Sequence, residues 1–522
     1  MGDVQEVSNM AFQDQSARGP LVTLETLSKH NSKSDCWIAV HSKVWDITDF
    51  INEHPGGPSV LLKCAGGNAT QSFDSVHAPD MLDELPKEKF KGFLEQPSPD
   101  ISATAASAAA EQPQVQPQPQ SQQQPIASAD QSAASFTIPP IETIISAPDF
   151  TAVAEKALTH KAWAFYSSAA TDLVTHTRNK ELLRRIMIRP RILRNVTDIR
   201  MEREILGFKS TAPFFMSPAA MARLAHPDGE LAWSRGVANE GIFQVISSNA
   251  SYTLKSIINA APSNHPFFFQ LYVNSDRAKT TALLQSAHAL GIKAIFVTVD
   301  APVPGKREAD EKAAQAVQVQ SAISGGSSSK DKKGSGFGRL MAQYIDKALT
   351  WEDLKWIREA ANGVPIVLKG VQTAEDVSLA MEYGADAVML SNHGGRSLDG
   401  AQASILVLLE VRKHCPEAFG KIQIFVDGGF ERGSDILKAI ALGATAVGVG
   451  RPFLYSLCYG QEGVEHLSQI LKDELEVSMR LCGITSLEQA TPELVNTLDI
   501  DYLVKNGEAQ RDVQSGRLHS KL

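Results

Sequence analysis

After residue 200 the chain repeats one pattern, a short apolar run followed by a helical stretch, and this repetition constrains the fold more than any other feature of its 522 residues. The runs fall at 213–216, 243–246, 267–273, 294–299, 365–368, 387–390, 424–426 and 446–449. Each reads as continuously apolar rather than alternating, the signature of a strand covered on both faces. Stretches such as 373–383 and 434–442 carry helical spacing and supply the crossovers that parallel strands require. Eight such units within about 250 residues predict α/β architecture, a closed (β/α)8 TIM barrel, with an open doubly wound sheet as the alternative for the same alternation. In a barrel the chemistry lies on the loops at the C-terminal strand ends, so the residues just after each run are the ones that matter.

The chain is longer than one core sustains, which predicts a second domain. Between 96 and 136 the sequence is almost entirely Ala, Ser, Gln and Pro, a composition that buries too little apolar surface to offset its ordering entropy. This predicts a disordered linker between an N-terminal domain over 20–95 and the barrel over 140–500, with a polar tail over 501–522. A second polar stretch, 308–338, contains Ser324-Gly325-Gly326-Ser327 and reads as an excursion from the barrel.

A net charge of -9 and a pI near 5.8 supply no basic stripe for nucleic acid, so small molecules or proteins are the expected partners. Cys36, Cys64, Cys415, Cys458 and Cys482 lie far apart without a CxxC pair, which predicts neither a disulfide framework nor a thiolate metal site. No apolar stretch reaches the roughly 20 residues of a membrane span, and the N-terminus has no signal core. Gly2 suggests myristoylation, but Glu6 stands where that motif wants Ser or Thr. Ser520-Lys521-Leu522 matches the peroxisomal import tripeptide, which predicts a peroxisome, with the cytoplasm as the alternative.

One strand end carries an evident site. Ser391-Asn392-His393-Gly394-Gly395-Arg396 follows directly on the run at 387–390. An imidazole can take a proton near neutrality, and an arginine beside it can hold a carboxylate bidentately, so the pair suits proton abstraction from a small acid. Alone, the same motif also fits a polar turn with a solvated histidine.

The N-terminal segment contains Trp45-Asp46-Ile47-Thr48-Asp49-Phe50 and His54-Pro55-Gly56-Gly57, with His77 downstream. This segment resembles cytochrome b5, an α+β domain. The resemblance implies a b-type haem with His54 and His77 as its two axial ligands. Two histidines leave the iron no open position for oxygen, so such a haem can only pass electrons.

The remainder, from about 140 to 490, resembles the FMN-dependent L-2-hydroxy acid dehydrogenases and oxidases, and with the haem domain in front the whole resembles the flavocytochrome b2 (L-lactate cytochrome c dehydrogenase) type. The resemblance implies His393 as the catalytic base and Asp300 as the carboxylate that steadies its imidazolium. It implies Arg396 and Arg307 as holders of the substrate carboxylate and Tyr272 as the phenol on the substrate hydroxyl. For FMN it implies Pro218, Ala219 and Ala220 along the ring, with hydrogen bonds from Ser247, Gln270 and Thr298. Lys369 is placed beside the ring's N1 and O2, where a cation stabilises negative charge. Asp427, Gly428, Gly429, Gly450 and Arg451 close the last two strands, where barrels commonly seat a phosphate.

Three residues depart from the family pattern. Phe165 stands where the family usually has a tyrosine that helps bind the substrate carboxylate, Asn249 where a side chain limits substrate size, and Glu431 where an arginine helps bind the phosphate. The implied function is oxidation of an L-2-hydroxy acid, lactate by default, to the 2-keto acid, with electrons passing through haem to a cytochrome c-like acceptor. Two alternatives stay open: a peroxisomal 2-hydroxy acid oxidase that uses oxygen, and a non-catalytic haem electron carrier built on a degraded barrel. The family further implies a homo-oligomer, a tetramer.

Overall fold

The computed structural model describes residues 20–51, 58–74, 77, 81–95, 136–313, 323, 338 and 342–505. The expected linker, most of the 308–338 excursion, His54 and the Ser520-Lys521-Leu522 tripeptide lie outside the described residues. Two compact units emerge, one within Met1–Gln71 and Pro86–Thr137, the other within Ser72–Leu85 and Ile138–Leu522.

The small unit holds strands β1 (Leu21–Val22), β2 (Asn31–Ser32), β3 (Asp35–Val40), β4 (Lys43–Asp46) and β5 (Phe90–Leu94) in the order β1-β5-β4-β3-β2. Helices α1 (Leu24–Lys29) and α2 (Pro58–Cys64) accompany them, and α3 (Thr70–Asp74) begins in this unit and ends in the other. The β3–β4 hairpin pairs Ile38 with Trp45 and Ala39 with Val44, and Val22, Leu27, Ala39 and Val44 form its apolar centre. After β4 the chain turns where Asp46 Oδ1 accepts from the Thr48 amide (3.1 Å) and hydroxyl (2.7 Å), an Asx turn that ends the strand.

In the large unit eight parallel strands form one sheet: β6 (Phe214–Met216), β7 (Val245–Ser247), β8 (Phe268–Leu271), β9 (Ala294–Thr298), β10 (Ile366–Val371), β11 (Ala387–Leu390), β12 (Gln423–Asp427) and β13 (Ala446–Val449). They pair in chain order, β13 returns to pair with β6, and a parallel bridge between Met216 and Gln244 joins β6 to the β7 side. The sheet is therefore the closed barrel rather than the open alternative. All eight expected runs overlap their strands. The largest offset is at 365–368, which stops three residues before its strand does, and at 243–246 the first two residues precede the strand. Phe243 is apolar because its ring enters the barrel interior, 5.2 Å from Phe268 at a T-shaped angle, so apolarity there marks burial and not strand backbone.

Phe215, Phe268, Phe296, Phe425 and Met389 fill the interior, each fully buried. Burying one such side chain contributes about 1.5 to 3 kcal/mol, so this packed centre is a main source of the barrel's stability. An antiparallel hairpin, Arg203–Ile205 with Phe208–Ser210, sets Ile205, Leu206 and Phe208 against the same cluster and covers the N-terminal mouth. The opposite mouth stays accessible for a ligand.

Around the barrel, the expected helix over 373–383 is Ala374–Glu382, and Thr373 caps it by accepting from the Asp376 amide. Three helices precede the barrel: α4 (Ala147–Ala157), α5 (His160–Ser167) and α6 (Val174–Arg185). Asp399, from the loop beyond the His393 turn, accepts from the amides of Asp172 (3.0 Å) and Thr175 (2.9 Å) and so fixes the start of α6 beside the open mouth. Among the described residues no helix is long and apolar enough to cross a membrane.

Candidate active site

The strand ends at the open mouth converge on one cleft. Its lining includes Ser217 and Pro218 after β6, Ser247 on β7, Gln270 on β8, Thr298 on β9, Lys369 on β10, His393 after β11, Asp427 to Gly429 at β12, and Gly450 and Arg451 after β13. Every barrel strand thus delivers a functional group, because parallel strands of similar length end at a common level.

His393 sits in an unusual backbone position, φ 60°, in the left-handed region that non-glycine residues seldom occupy. The surrounding bonds hold it there. Its amide donates to Ser391 Oγ (3.1 Å), and Asn392 Oδ1 accepts from the Gly395 amide (3.1 Å). Asn392 and Asn179 exchange amide hydrogen bonds in both directions (2.8 and 2.9 Å). Gly395 is glycine for a steric reason as well as for its φ of 76°, since a Cβ there would lie 2.7 Å from the His176 backbone nitrogen.

His393 Nδ1 lies 2.8 Å from Asp300 Oδ1, and its Nε2 lies 3.2 Å from the Tyr272 hydroxyl. The carboxylate fixes the tautomer, so Nδ1 carries hydrogen and Nε2 faces the cleft as the free base. Burial disfavours the imidazolium and outweighs the pull of Asp300, holding the His393 pKa below its ordinary value. For Asp300, burial would raise the carboxyl, but His393 and Lys369 together hold it below the usual carboxylate range. Burial likewise raises the Tyr272 phenol, which stays protonated as a donor. The base is therefore neutral at pH 7, and proton abstraction should weaken as pH falls through the His393 pKa, below about 6.5. In Asp300→Asn the upward pull on His393 is gone. The acid limb of the rate profile should move to lower pH, and its plateau should drop roughly 10- to 100-fold, the worth of one hydrogen bond to a charged group. Stopped-flow flavin reduction across pH checks both shifts.

Three arginines gather nearby. Burial, and for Arg396 also the charges of Arg307 and Arg451, holds their pKa values down, with Arg396 lowered most. Such a cluster is built for anions. Arg396 is aimed by Nη1 donating to the carbonyls of Tyr166 (2.9 Å) and Ser168 (3.2 Å). Arg451 donates to the same two carbonyls and to that of Gly394 (2.9 Å). The Phe165 ring lies against both Arg396 (5.3 Å) and Arg307 (5.7 Å). Phenylalanine at 165 thus packs the guanidinium planes while lacking the hydroxyl that a tyrosine would bring.

Ser247 Oγ donates to Gln270 Oε1 (3.2 Å) and Gln270 Nε2 donates to Thr298 Oγ1 (2.9 Å), linking three strand ends into one polar rim. Lys369, nearly buried, donates to Ser391 Oγ (3.3 Å). Asn249 accepts from the Tyr344 hydroxyl (3.2 Å) at the cleft wall. Sequence reasoning missed Tyr344, Ser217, Asn392 and the α6 residues Asn179 and Lys180. Ser217 and Asn392 sit one or two residues from positions that were expected, whereas α6 lies outside the barrel repeat altogether.

The arrangement fits FMN on the chain's own features. Among the described residues Asp427 Oδ1 is buried without a hydrogen-bond partner, an acceptor suited to a flavin-chain hydroxyl, while its Oδ2 accepts from Ser217 (3.3 Å). Small residues at 218–220 and 428–429 keep that part of the cleft open. His77, expected as a haem ligand, follows α3, its amide donating to the Phe73 carbonyl (2.7 Å) and its ring 4.8 Å from that of Phe73. This suits a haem ligand held on one side by an aromatic ring.

A barrel with a histidine–aspartate base, clustered arginines and an FMN-shaped cleft defines a class of flavin oxidoreductases. The chain belongs to the FMN-dependent dehydrogenase family, whose model matches residues 154–497, and the cytochrome b5-like heme/steroid binding domain matches 23–95. FMN is the cofactor of the barrel and haem that of the N-terminal domain. The chain is 39% identical to an L-lactate dehydrogenase (cytochrome) of Wickerhamomyces anomalus, over 92% of this chain and 80% of that one. It is 40% identical to the protein of the same name in Saccharomyces cerevisiae, over 90% of this chain and 78% of that one. Glycolate oxidase 3 of Oryza sativa subsp. indica is 40% identical over 68% of this chain and 97% of its own. The solved flavin-binding domain of baker's yeast flavocytochrome b2 superposes with a TM-score of 0.63 at 40% identity, covering 74% of this chain and 95% of that one.

Proposed function

We propose that the chain oxidises an L-2-hydroxy acid to the 2-keto acid, with lactate as the reference substrate, and delivers the electrons through haem to an acceptor protein. The carrying observation is the triad of Asp300, His393 and Tyr272 beside the arginine cluster. FMN, when bound, accepts the two electrons lost by the substrate, and haem relays them singly. Arg396 and Arg307 hold the substrate carboxylate, and Tyr272 donates to its hydroxyl oxygen. His393 Nε2 takes the proton, and Asp300 stabilises the imidazolium that results. Pro218 to Ala220, Ser247, Gln270, Thr298, Lys369, Asp427 to Gly429, Gly450 and Arg451 hold the cofactor, and His54 with His77 ligates the haem iron. The units 20–95 and 140–500, joined by 96–136, act as separate electron-transfer partners in a homo-oligomer. The relatives named L-lactate dehydrogenase (cytochrome) support haem as the electron exit.

Asn249, held by the Tyr344 hydroxyl, makes one cleft wall polar, and Phe165 removes a hydroxyl from the carboxylate end, so lactate should be outperformed by a 2-hydroxy acid with a larger or more polar tail. Anaerobic mixing with a panel of such acids, following flavin and haem absorbance separately, tests both levels. We expect flavin bleaching, then haem reduction, with Phe165→Tyr tightening short acids about 10-fold. If no 2-hydroxy acid bleaches the flavin, the function is wrong; if lactate is clearly best and Phe165→Tyr is neutral, only the specificity argument falls.

A second reading, an oxidase that passes electrons to oxygen in the peroxisome, is favoured by Ser520-Lys521-Leu522 and by the relatives named glycolate oxidase. The tripeptide is read by the import receptor as a free carboxyl terminus. A fluorescent fusion ending in it should enter peroxisomes, and deleting it should leave the fusion in the cytosol. An intact fusion found elsewhere removes the peroxisomal assignment.

A further inference from the structure

We propose that Lys180 of α6, anchored by Glu431, is a phosphate-binding cation of the FMN site. The inference rests on FMN occupying the cleft. Barrel enzymes seat phosphates on the turns after their last two strands, here Asp427-Gly428-Gly429 after β12 and Gly450-Arg451 after β13. Helix α6 is pressed against the first of these turns. A Cβ on Gly429 would come within 2.6 Å of the Asn179 carbonyl and 2.9 Å of the Lys180 nitrogen, and one on Gly428 within 3.1 Å of Asn179 Nδ2. The Asn179–Lys180 peptide thereby forms the back of the phosphate seat, and both Lys180 and Glu431 line the cleft.

Charge then decides the role of Lys180. A phosphate monoester carries about -1.5 to -2 near neutrality. Of the nearby groups, Arg451 supplies one positive charge, with its Nε and Nη2 directed at the carbonyls of Tyr166, Ser168 and Gly394. Glu431 adds a negative charge, 17% exposed, on the same rim and near enough to Arg451 to influence its protonation. With Asp427 in the same turn also anionic, the seat without a further cation would carry a net formal negative charge and would repel a dianion. Lys180 Nζ lies 2.5 Å from Glu431 Oε1 with its side chain 34% exposed, so the carboxylate holds the ammonium at the cleft edge where it can turn to the phosphate. Lys180 binds the anion, and Glu431 acts through it as a positioning residue.

Riboflavin, which lacks the phosphate, isolates this contribution. Full-length chain stripped of flavin is titrated with FMN and with riboflavin by flavin fluorescence. Lys180→Met should weaken FMN about 10- to 100-fold while changing riboflavin by less than about 3-fold, and Lys180→Arg should keep the wild-type preference for FMN. Equal weakening of both flavins, or no loss of FMN affinity in Lys180→Met, overturns the role of Lys180. A wild-type chain that binds neither flavin would instead overturn the FMN reading on which the role depends.

Discussion

His393→Gln is expected to slow reduction of FMN by the 2-hydroxy acid about 100- to 10,000-fold, the range that general-base catalysis provides. Glutamine can keep a hydrogen bond toward Asp300 or Tyr272, but its amide has no basic nitrogen at neutral pH. The protein should stay yellow, because the groups expected to hold FMN, among them Lys369, Asp427 and Arg451, belong to other strand ends. Substrate affinity should change far less than rate, since the groups proposed to hold the carboxylate are Arg396 and Arg307. Single-turnover stopped-flow under anaerobic conditions separates the two quantities. Near-normal flavin reduction in the variant would mean that another group accepts the proton.

That prediction draws on residues largely legible in the sequence. The barrel is legible because a strand buried on both faces leaves an unbroken apolar run, and the positions after those runs are functional because parallel strands end together. The His393 motif stood out this way, just beyond its strand, whereas Asp300, Tyr272, Lys369 and Asp427 were expected from the family resemblance and line up at or near the same strand ends. What escaped depends on backbone and on contacts distant in sequence. Arg396 and Arg451 are aimed by carbonyls of Tyr166 and Ser168, which no side-chain pattern reveals. Lys180 reaches the cleft, and Asn179 its back, only because Gly395 and Gly429 allow α6 to approach, and α6 carries no apolar repeat of the barrel type. Phe243 misled in the other direction, since an aromatic ring can fill the barrel interior from outside the strand. The legible part of the site is thus what the repeat positions, and the hidden part is what packs onto it.

The two histidines of the N-terminal domain should show an all-or-none effect. His77→Ala or His54→Ala is expected to abolish stable haem binding, read as loss of the Soret band, while the FMN absorbance remains. The asymmetry follows from the residues involved: the described residues that line the cleft around His393 belong to the barrel domain, and neither His54 nor His77 is one of them. Haem in this domain would be held by His54 and His77 together, so removing either imidazole would remove half of the proposed ligand set. The haem-free variants should still bleach their flavin on anaerobic addition of substrate at close to the wild-type rate, because His393, Asp300 and the arginines are untouched. Delivery of electrons to a cytochrome-type acceptor should fall to a small fraction of the wild-type rate, whereas consumption of oxygen by the flavin should persist. If acceptor reduction survives loss of the haem, the N-terminal domain is not the exit route, and the oxygen-using reading gains the stronger position.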